Sequence, residues 1–390
     1  MSEKNYEYSD MIYLLWCAVN KCAPEKKYIR SADVENLLRM SVSHKLTSLV
    51  NEAVKEADDS LFSPEYKRRF ETEALKALRV NLLFDYDTKN VLALLEKNKI
   101  SCMPLKGYVL KEYYPQAEQR QMGDIDILIA PEDADKIRGI MVEAGYSCTS
   151  FNETHHDSYF KKPLYLYEFH RTLFLGAEKK WDDYYRNIIE RLQKNPENEY
   201  EYSFSPEDMY IYIVMHGLKH FLDRGTGLRF LTDIYFYLKA EKIDFDYVEN
   251  EMKKLDVYSY ERLFRDLAIK VFSEESGGHD LKLSKEEEKA LYELYSSGAY
   301  GSTNVAVTHR MERLTNGTKG NMKKPVYVLK RFFIIPEIYR LKYPKMYKSV
   351  VLRPVLVGIR LVKGMKSKRH LIANELKVLK KYPSDSSEKN

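Results

Sequence analysis

The sequence predicts an α+β fold, in which a mixed β-sheet core is flanked by extensive helical regions. In residues 6–98 and again after Pro206, apolar residues recur at spacings of three and four, as they do on the buried face of a helix. Between these regions, short apolar segments with the period of two that is typical of strands alternate with short helical patterns. We therefore divide the 390-residue chain into an N-terminal helical region (1–98), a mixed core (99–204), a helical domain (205–299), and a linker followed by a basic helical C-terminal region (300–390).

The N-terminal region carries signals for where its helices begin. Ser31 and Ser63 each precede an amphipathic segment, and a serine hydroxyl can accept hydrogen bonds from the free amides of a first helical turn. Pro64 suits the first position of a helix, because that position needs no amide donor. We expect helices to begin close after both serines.

The pattern changes near Ile100, where the mixed core begins. The segment ISCMPLKG is short and apolar and turns at Gly107, and it is followed by a short helical pattern, YVLKEYY. The segment DIDILIA, residues 124–130, alternates charged and apolar residues and predicts a strand. A helix is expected after Pro131, ending at Gly145, and the aromatic-rich LYLYEFHRTLF predicts a further strand.

Two polar stretches are predicted to lack regular structure. The first contains His155, His156 and Asp157, which we interpret as part of a solvated surface loop. The second is residues 300–325, which are rich in Gly, Asn, Thr and Lys and predict a mobile connection. Beyond it, the helical pattern continues to about Leu379.

Asp124 and Asp126 carry the strongest chemical signal. Residues two apart in a strand point to the same face, so these carboxylates are expected side by side, while Ile125, Ile127 and Ile129 point into a core. Two adjacent carboxylates repel each other unless a positive charge lies between them, and a hard cation such as magnesium takes oxygen ligands. The alternative is a solvated polar face of an edge strand.

Glu168 and His170 share the face of the second predicted strand. A third carboxylate on a neighbouring strand would complete a two-metal site, in which one ion activates an attacking hydroxyl and the other neutralises a triphosphate. The alternative for Glu168 is an exposed residue paired with Arg or Lys. Upstream, Lys106-Gly107 begins the short helix, where glycine allows close backbone approach to a phosphate. The alternative for this pair is a tight turn.

The run PLKGYVLKEYYPQAEQRQMGDIDILIAPEDADKIRGIMVEAGY resembles the core of an uncharacterised bacterial nucleotidyltransferase family in the polymerase-beta-like superfamily. Similarity also includes Glu168-Phe169-His170 and the segment HGLKHFLDRGTGLRFLTDIYFYL, and it extends from about residue 95 to about residue 365. The matching residues of the core run are Lys106, Gly107, Tyr114, Pro115, Arg120, Asp124 and Asp126. In the helical segment that follows, the matching residues are His216, His220, Arg229 and Asp233.

The resemblance implies a nucleotidyltransferase fold, a nucleoside triphosphate such as ATP as substrate, and two Mg²⁺ ions, with Mn²⁺ as an alternative. It implies that Asp124, Asp126 and Glu168 are catalytic and bind metal, with Glu168 as a metal ligand or as the base. It implies that the nucleotide is bound by Lys106, Gly107, Arg120 and His170. The usual glycine-serine pair of the superfamily is replaced by Gly107-Tyr108, so the serine hydroxyl that often meets a phosphate is missing.

The predicted function is transfer of a nucleoside monophosphate from a nucleoside triphosphate to an acceptor, with release of pyrophosphate. The acceptor could be a sugar, another small molecule, a protein or an RNA. One alternative is a phosphotransferase or toxin-like kinase. Another is a non-catalytic nucleotide- or nucleic-acid-binding protein with the same fold, including an adaptor based on the C-terminal region. His216 and His220, four residues apart on a predicted helix, are interpreted as core or hydrogen-bonded histidines, since no HExxH motif is present.

The charge distribution is uneven. Residues 320–390 contain 18 Lys and Arg against 4 Asp and Glu, a net of +14, whereas residues 1–319 have a net of −9. A basic region of this kind can bind nucleic acid or an anionic membrane surface, or it can pack on the acidic remainder of the chain. We favour packing on the body. The four cysteines have no zinc-ligand spacing, and no transmembrane segment is evident, so a cytoplasmic location is expected.

Overall fold

The structure is a computed structural model that describes residues 4–30, 33–174, 178–315, 322–333, 335, 339, 343–367 and 369–381. Helices precede, interrupt and follow one mixed sheet, so the predicted α+β class is confirmed. The helices before and within the sheet are α1 (Lys4–Asn20), α2 (Val34–Ser43), α3 (Thr47–Glu56), α4 (Pro64–Lys97), α5 (Lys106–Leu110) and α6 (Ala134–Glu143). Those after it are α7 (Lys179–Tyr185), α8 (Pro206–Asp223), α9 (Arg229–Ala240), α10 (Phe245–Lys254), α11 (Tyr258–Phe272), α12 (Lys285–Ser297), α13 (Thr303–Leu314), α14 (Lys323–Phe333), α15 (Pro344–Lys348), α16 (Arg353–Ser367) and α17 (Arg369–Lys381).

The central sheet has five strands in the order β1-β2-β5-β4-β3. Strands β2 and β5 are parallel, and the other neighbouring pairs are antiparallel. Strands β6 and β7 form a separate short antiparallel pair. The strand bounds are β1 (Cys102–Pro104), β2 (Ile125–Ile129), β3 (Ser147–Ser150), β4 (His156–Lys161), β5 (Tyr165–His170), β6 (Gln193–Lys194) and β7 (Tyr202–Ser203).

Strand β4 was not predicted from the sequence, and the interpretation of His155-His156-Asp157 as solvated surface is wrong. His156 begins β4, and the side chain of Asp157 is only 1% exposed. Asp157 accepts a hydrogen bond from the backbone amide of Asn152 and pairs with Arg171 at 3.2 Å. A charged residue therefore occupies a buried position of the strand, which hides the apolar alternation that would have indicated it.

The first residues of two helices bear on the predictions. One predicted N-cap is confirmed, and part of the predicted linker is a helix. The hydroxyl of Ser63 accepts from the amide of Tyr66 at the start of α4, as predicted, whereas Ser31 lies outside the described residues and Asp33 caps α2. The predicted mobile connection over 300–325 is wrong where α13 lies, since Ser302 caps that helix. Its apolar face is buried: Ala306, Val307 and Met311 are each at most 5% exposed.

The strand β2 lies between two hydrophobic clusters. Ile125, Ile127 and Ile129 are at most 2% exposed and belong to a cluster formed with α4, α6 and the other strands, as the alternation of the strand predicts. Leu128 points to the opposite face and belongs to a larger cluster formed by the N-terminal helices and α8 to α12. Asp126 is on this second face, so the polar end of β2 faces the helices of this larger cluster.

The C-terminal helices pack around α13. Tyr327 of α14 and Leu379 of α17 form a small buried cluster with Val307 and Met311. Glu375 forms ion pairs with Arg331 at 2.9 Å and with Arg310 at 3.6 Å. Within the described part of the chain, none of the helices combines the length and the apolar character that a membrane crossing requires.

Candidate active site

Asp126 and Glu168 lie opposite each other on the parallel strands β2 and β5. Because paired residues in a sheet share a face, the side chains of both residues emerge on the face of the sheet that carries Leu128 and the larger hydrophobic cluster. The side chain of Asp126 is 4% exposed and that of Glu168 is 22% exposed. The predicted third carboxylate on a neighbouring strand is therefore found at the expected register.

Two basic groups contact the Asp126 carboxylate. Nζ of Lys106 donates a hydrogen bond to Oδ1 of Asp126 at 2.8 Å, and Nε2 of His170 lies 2.6 Å from the same oxygen. Burial alone would raise the pKa of Asp126, but Lys106 and His170 outweigh burial and lower this pKa below its usual range. Asp126 is therefore an ionised carboxylate within a buried pair.

The backbone around Lys106 brings its ammonium group to this position. Lys106 has a φ of +49°, in the left-handed region, at the junction between β1 and α5. The amide of Leu105 donates to the backbone carbonyl of Asp126 at 2.9 Å, which fixes the junction against β2. Burial lowers the pKa of Lys106, but Asp126, Tyr212 and Asp124 together raise it by more, so the ammonium stays charged.

Asp124 differs electrostatically from Asp126. It directly precedes β2 and is partly buried. Burial and the charge of Asp126 raise the pKa of Asp124, against the opposite effects of Lys106, Arg229 and Arg120. The two aspartates therefore interact, and the one without a direct ammonium partner holds its proton more tightly.

Glu168 has a pKa that is shifted towards neutrality, which suits a group that exchanges protons. Burial, together with the charges of Asp126 and Asp124 and against the opposite effect of Lys106, raises the pKa of Glu168 from 4.5 to about 7. Nε2 of His156 lies 3.5 Å from one of its oxygens, and Nε2 of His170 lies 3.7 Å from the other. A carboxylate with a pKa near neutrality can exchange a proton with a substrate at physiological pH.

A cation could be held where Asp126, Glu168 and His170 meet, because ligand atoms of the three residues all lie within 4.8 Å of one another. Two of the three predicted metal ligands thus belong to this group, and Asp124 does not. Two carboxylates and one imidazole suit Mn²⁺, which accepts both oxygen and nitrogen ligands. Mg²⁺ could bind through the carboxylate oxygens alone.

Arg120 is buried beside this site and forms an ion pair that the sequence analysis did not include. Its Nε and Nη2 each lie 2.9 Å from a carboxylate oxygen of Asp233, and the hydroxyl of Tyr114 donates to the same aspartate at 2.7 Å. A Cβ placed on Gly107 would lie 2.8 Å from Nη1 of Arg120. Glycine at 107 therefore allows the short helix α5 to approach Arg120 closely.

Some groups near the site were not singled out by sequence reasoning. Lys219 on α8 is partly buried, and burial together with repulsion from Lys106 lowers its pKa to about 8. The hydroxyl of Tyr300 would lie 2.8 Å from a Cβ on Gly123, next to Asp124. Lys219 could have been found from the sequence, because it lies one helical turn after His216 in a segment that resembles the family. Nothing in the sequence around Tyr300 indicates that it lies near the site.

The comparison with family models confirms the resemblance that the residues suggested, over a span that differs from the expected 95–365. A family model described as "Uncharacterised nucleotidyltransferase" matches residues 30–273, which is more than half of the chain and includes the five-stranded sheet, α8 and α9. Neither a curated protein nor a solved structure matches. On the strength of the family match, the chain belongs to this uncharacterised nucleotidyltransferase family.

Proposed function

We propose that the protein transfers a nucleoside monophosphate from a nucleoside triphosphate, such as ATP, to an acceptor and releases pyrophosphate. The observation that carries the proposal is the alignment of Asp126 with Glu168 on adjacent parallel strands, with Lys106 bonded to Asp126. The arrangement supplies carboxylates for a cation and an ammonium group for phosphates within one half-buried site.

The proposed reaction is an in-line displacement at the α-phosphorus. The acceptor hydroxyl gives its proton to Glu168, and its oxygen forms a bond to the α-phosphorus. The bond between this phosphorus and the oxygen that bridges to the β-phosphate breaks, and pyrophosphate leaves with that oxygen. The pKa of Glu168, raised to about 7, supports a role as the base, although Glu168 also fits the role of a metal ligand.

Two Mg²⁺ ions, with Mn²⁺ as the alternative, would be held by Asp124, Asp126 and Glu168. When bound, they would supply charge for the triphosphate and acidity for the attacking hydroxyl. The imidazole of His170 beside the two carboxylates supports Mn²⁺ as an acceptable substitute.

The phosphates are assigned to Lys106, the backbone at Gly107, Arg120 and His170. Burial and the charge of Lys106 lower the pKa of Lys219, so these two lysines repel each other before substrate binds. This repulsion supports the assignment. A triphosphate between these lysines would replace their repulsion by attraction. Since Nε and Nη2 of Arg120 are paired with Asp233, its remaining Nη1 is the group proposed to meet a phosphate.

The acceptor is proposed to be a sugar, another small molecule, a protein or an RNA. A cytoplasmic location agrees with four cysteines that are all free. The basic C-terminal region would serve mainly as part of the fold, and an anionic partner for its exposed side remains a second role to test.

Mass spectrometry of reaction products tests the proposal. The full-length protein is incubated with Mg²⁺, the four nucleoside triphosphates and a cell extract, and Asp124→Asn serves as the control. We expect an acceptor that gains the mass of one nucleoside monophosphate, together with pyrophosphate, in the wild-type reaction only. Gain of a single phosphate instead would favour the phosphotransferase alternative, and no modified product with any nucleotide would favour a binding protein.

A further inference from the structure

Three imidazoles gather beside the carboxylates. The ring centroids of His155, His156 and His170 lie 4.7, 5.4 and 5.1 Å from one another in pairs. A ligand nitrogen from each ring lies within 4.8 Å of the other two. His156 and His170 are direct partners across the antiparallel strands β4 and β5, and His155 immediately precedes β4. The sheet itself therefore holds the rings together.

Two of these rings have a buried nitrogen without a hydrogen-bond partner. Nδ1 of His156 and Nδ1 of His170 are both inaccessible to solvent and have no acceptor or donor within hydrogen-bonding distance. The side chain of His170 is only 5% exposed. Leaving two such nitrogens unsatisfied costs free energy, and native proteins rarely do so without a ligand or another compensating group.

The opposite nitrogens of the same rings face carboxylates. Nε2 of His170 lies 2.6 Å from Asp126, and Nε2 of His156 lies 3.5 Å from Glu168. Histidines that bind a metal through one nitrogen commonly give the proton of the other to a carboxylate, which fixes the ring and strengthens the ligand. His170 has this arrangement through Asp126, and Nε2 of His156 lies close to Glu168 without a hydrogen bond to it.

We propose that His155, His156 and His170 form a binding site for one divalent transition-metal ion of the zinc type, adjacent to the carboxylates assigned to nucleotidyl transfer. Three imidazoles suit zinc and related ions and are poor ligands for magnesium. The positive charges of Lys106 and Lys219 act on His155 and oppose a cation, while Asp126 and Glu168, which form a group with His170, favour one. The site shares His170 with the residues assigned to the nucleotide, but zinc binding can be measured without any nucleotide.

Zinc binding by the full-length protein tests the site directly. The protein is purified without a histidine tag, treated with chelator, and titrated with Zn²⁺ alone in a calorimeter and with Co²⁺ alone under visible absorption. We expect one ion per chain, a Co²⁺ absorption band typical of nitrogen ligation, and no displacement by a large excess of Mg²⁺. His155→Gln and His156→Gln should each weaken Zn²⁺ binding at least about tenfold and remove the band.

Control variants separate this site from other histidines and from the reaction. His279→Gln lies outside the cluster, and its Zn²⁺ affinity should equal that of the wild type. Asp124→Asn should bind Zn²⁺ normally even though it transfers no nucleotide, so failure of one proposal does not imply failure of the other. Melting curves in chelator show that each variant is folded.

Three results would overturn the site. They are absence of Zn²⁺ binding by the folded wild type, unchanged binding by folded His155→Gln and His156→Gln, and loss of binding only when His216 and His220 are both replaced. The last two histidines form a competing pair on α8, with their Nε2 atoms 3.1 Å apart.

Discussion

Arg120 and Asp233 form a buried, two-pronged ion pair, in which Nε and Nη2 of the arginine each lie 2.9 Å from a carboxylate oxygen of the aspartate. Both side chains are at most 9% exposed. The pair joins the segment before β2 to helix α9, and it thereby connects strand β2 to the helices that follow the sheet. Because both charges are buried, loss of either partner leaves the other without compensation.

Asp233→Ala is therefore expected to lower the free energy of unfolding by about 3–5 kcal/mol, which is typical for breaking a buried pair. Urea denaturation followed by circular dichroism measures the change. The matched control is Asp256→Ala, because Asp256 also pairs with a cation, Lys180, but its side chain is 75% exposed. The control should lose less than about 1 kcal/mol. Equal losses in the two variants would contradict a structural role for the Arg120–Asp233 pair.

Asp124→Asn is expected to abolish nucleotidyl transfer while leaving the protein at least as stable as the wild type. Burial and Asp126 raise the pKa of Asp124, which means that its charge is unfavourable in the folded protein when no cation is bound. Transfer of labelled nucleotide and thermal melting in chelator measure the two effects. A folded variant with wild-type turnover would show that Asp124 is not required.

Asp126→Asn is expected to lose both transfer and stability, in contrast to Asp124→Asn. The pKa of Asp126 is lowered, so its ionised form stabilises the fold at neutral pH, and this contribution is lost as the pH falls below the usual range for aspartate. Removing the charge also leaves Lys106 without its buried partner. Melting curves at pH 7 should place this variant clearly below Asp124→Asn, and the reverse order would contradict the assignment of charges.

Glu168 should make both activity and stability depend on pH. Because its pKa is raised from 4.5 to about 7, the folded protein binds a proton that the unfolded chain has already released over this interval. The contribution of Glu168 to the free energy of unfolding in chelator should therefore fall as the pH rises from about 4.5 to 7. Buried histidines such as His44 and His170, whose pKa values are lowered, contribute in the opposite direction, so the difference between wild type and Glu168→Gln is the quantity that isolates Glu168. Glu168→Gln should be more stable than the wild type at pH 8 by up to about 3 kcal/mol, with little difference near pH 4.

If Glu168 is the base, turnover of the wild type should rise through about pH 7 as the carboxylate loses its proton. Urea denaturation at a series of pH values and initial rates at saturating nucleotide measure the two profiles. A stability difference between wild type and Glu168→Gln that stays constant from pH 5 to 8, together with turnover that is flat over the same range, would show that the environment of Glu168 does not displace its titration.

Removing residues 320–390 should destabilise the protein. Tyr327 and Leu379 cover Val307 and Met311 on α13, and Glu375 pairs with Arg310, so the truncation would expose apolar surface and leave charges unpaired. A lower melting temperature is expected. A melting curve unchanged from that of the full chain would contradict this expectation. If such a truncated protein lost only its affinity for RNA or anionic vesicles, the basic region would be a separate binding module.

Much of the core could be predicted because its signals are local. The alternation in DIDILIA predicted both the strand and the buried face of Ile125 and Ile127, and the aromatic content of LYLYEFHRTLF predicted the strand that carries Glu168, which the structure pairs with β2. The rest depends on contacts between distant residues. Strand β4 was missed because Asp157 occupies a buried position through its pairing with Arg171, and no local pattern indicates that partner.

The role of Arg120 illustrates the same limit. Its place ahead of Asp124 agrees with a phosphate-binding arginine, but its pairing with Asp233, 113 residues away, appears only when α9 packs against the core. Helix α13 was also missed, since its polar sequence THRMERL carries only a narrow apolar stripe that becomes informative once α14 and α17 cover it.

The most direct test of the proposed reaction uses ATP labelled separately at the α- and γ-phosphorus, incubated with Mg²⁺ and the acceptor fraction of a cell extract. The proposed reaction places the α-label on the acceptor and releases the γ-label as pyrophosphate, and Asp124→Asn should do neither. Transfer of the γ-label to the acceptor, with the α-label retained in ADP, would contradict nucleotidyl transfer and identify the protein as a phosphotransferase.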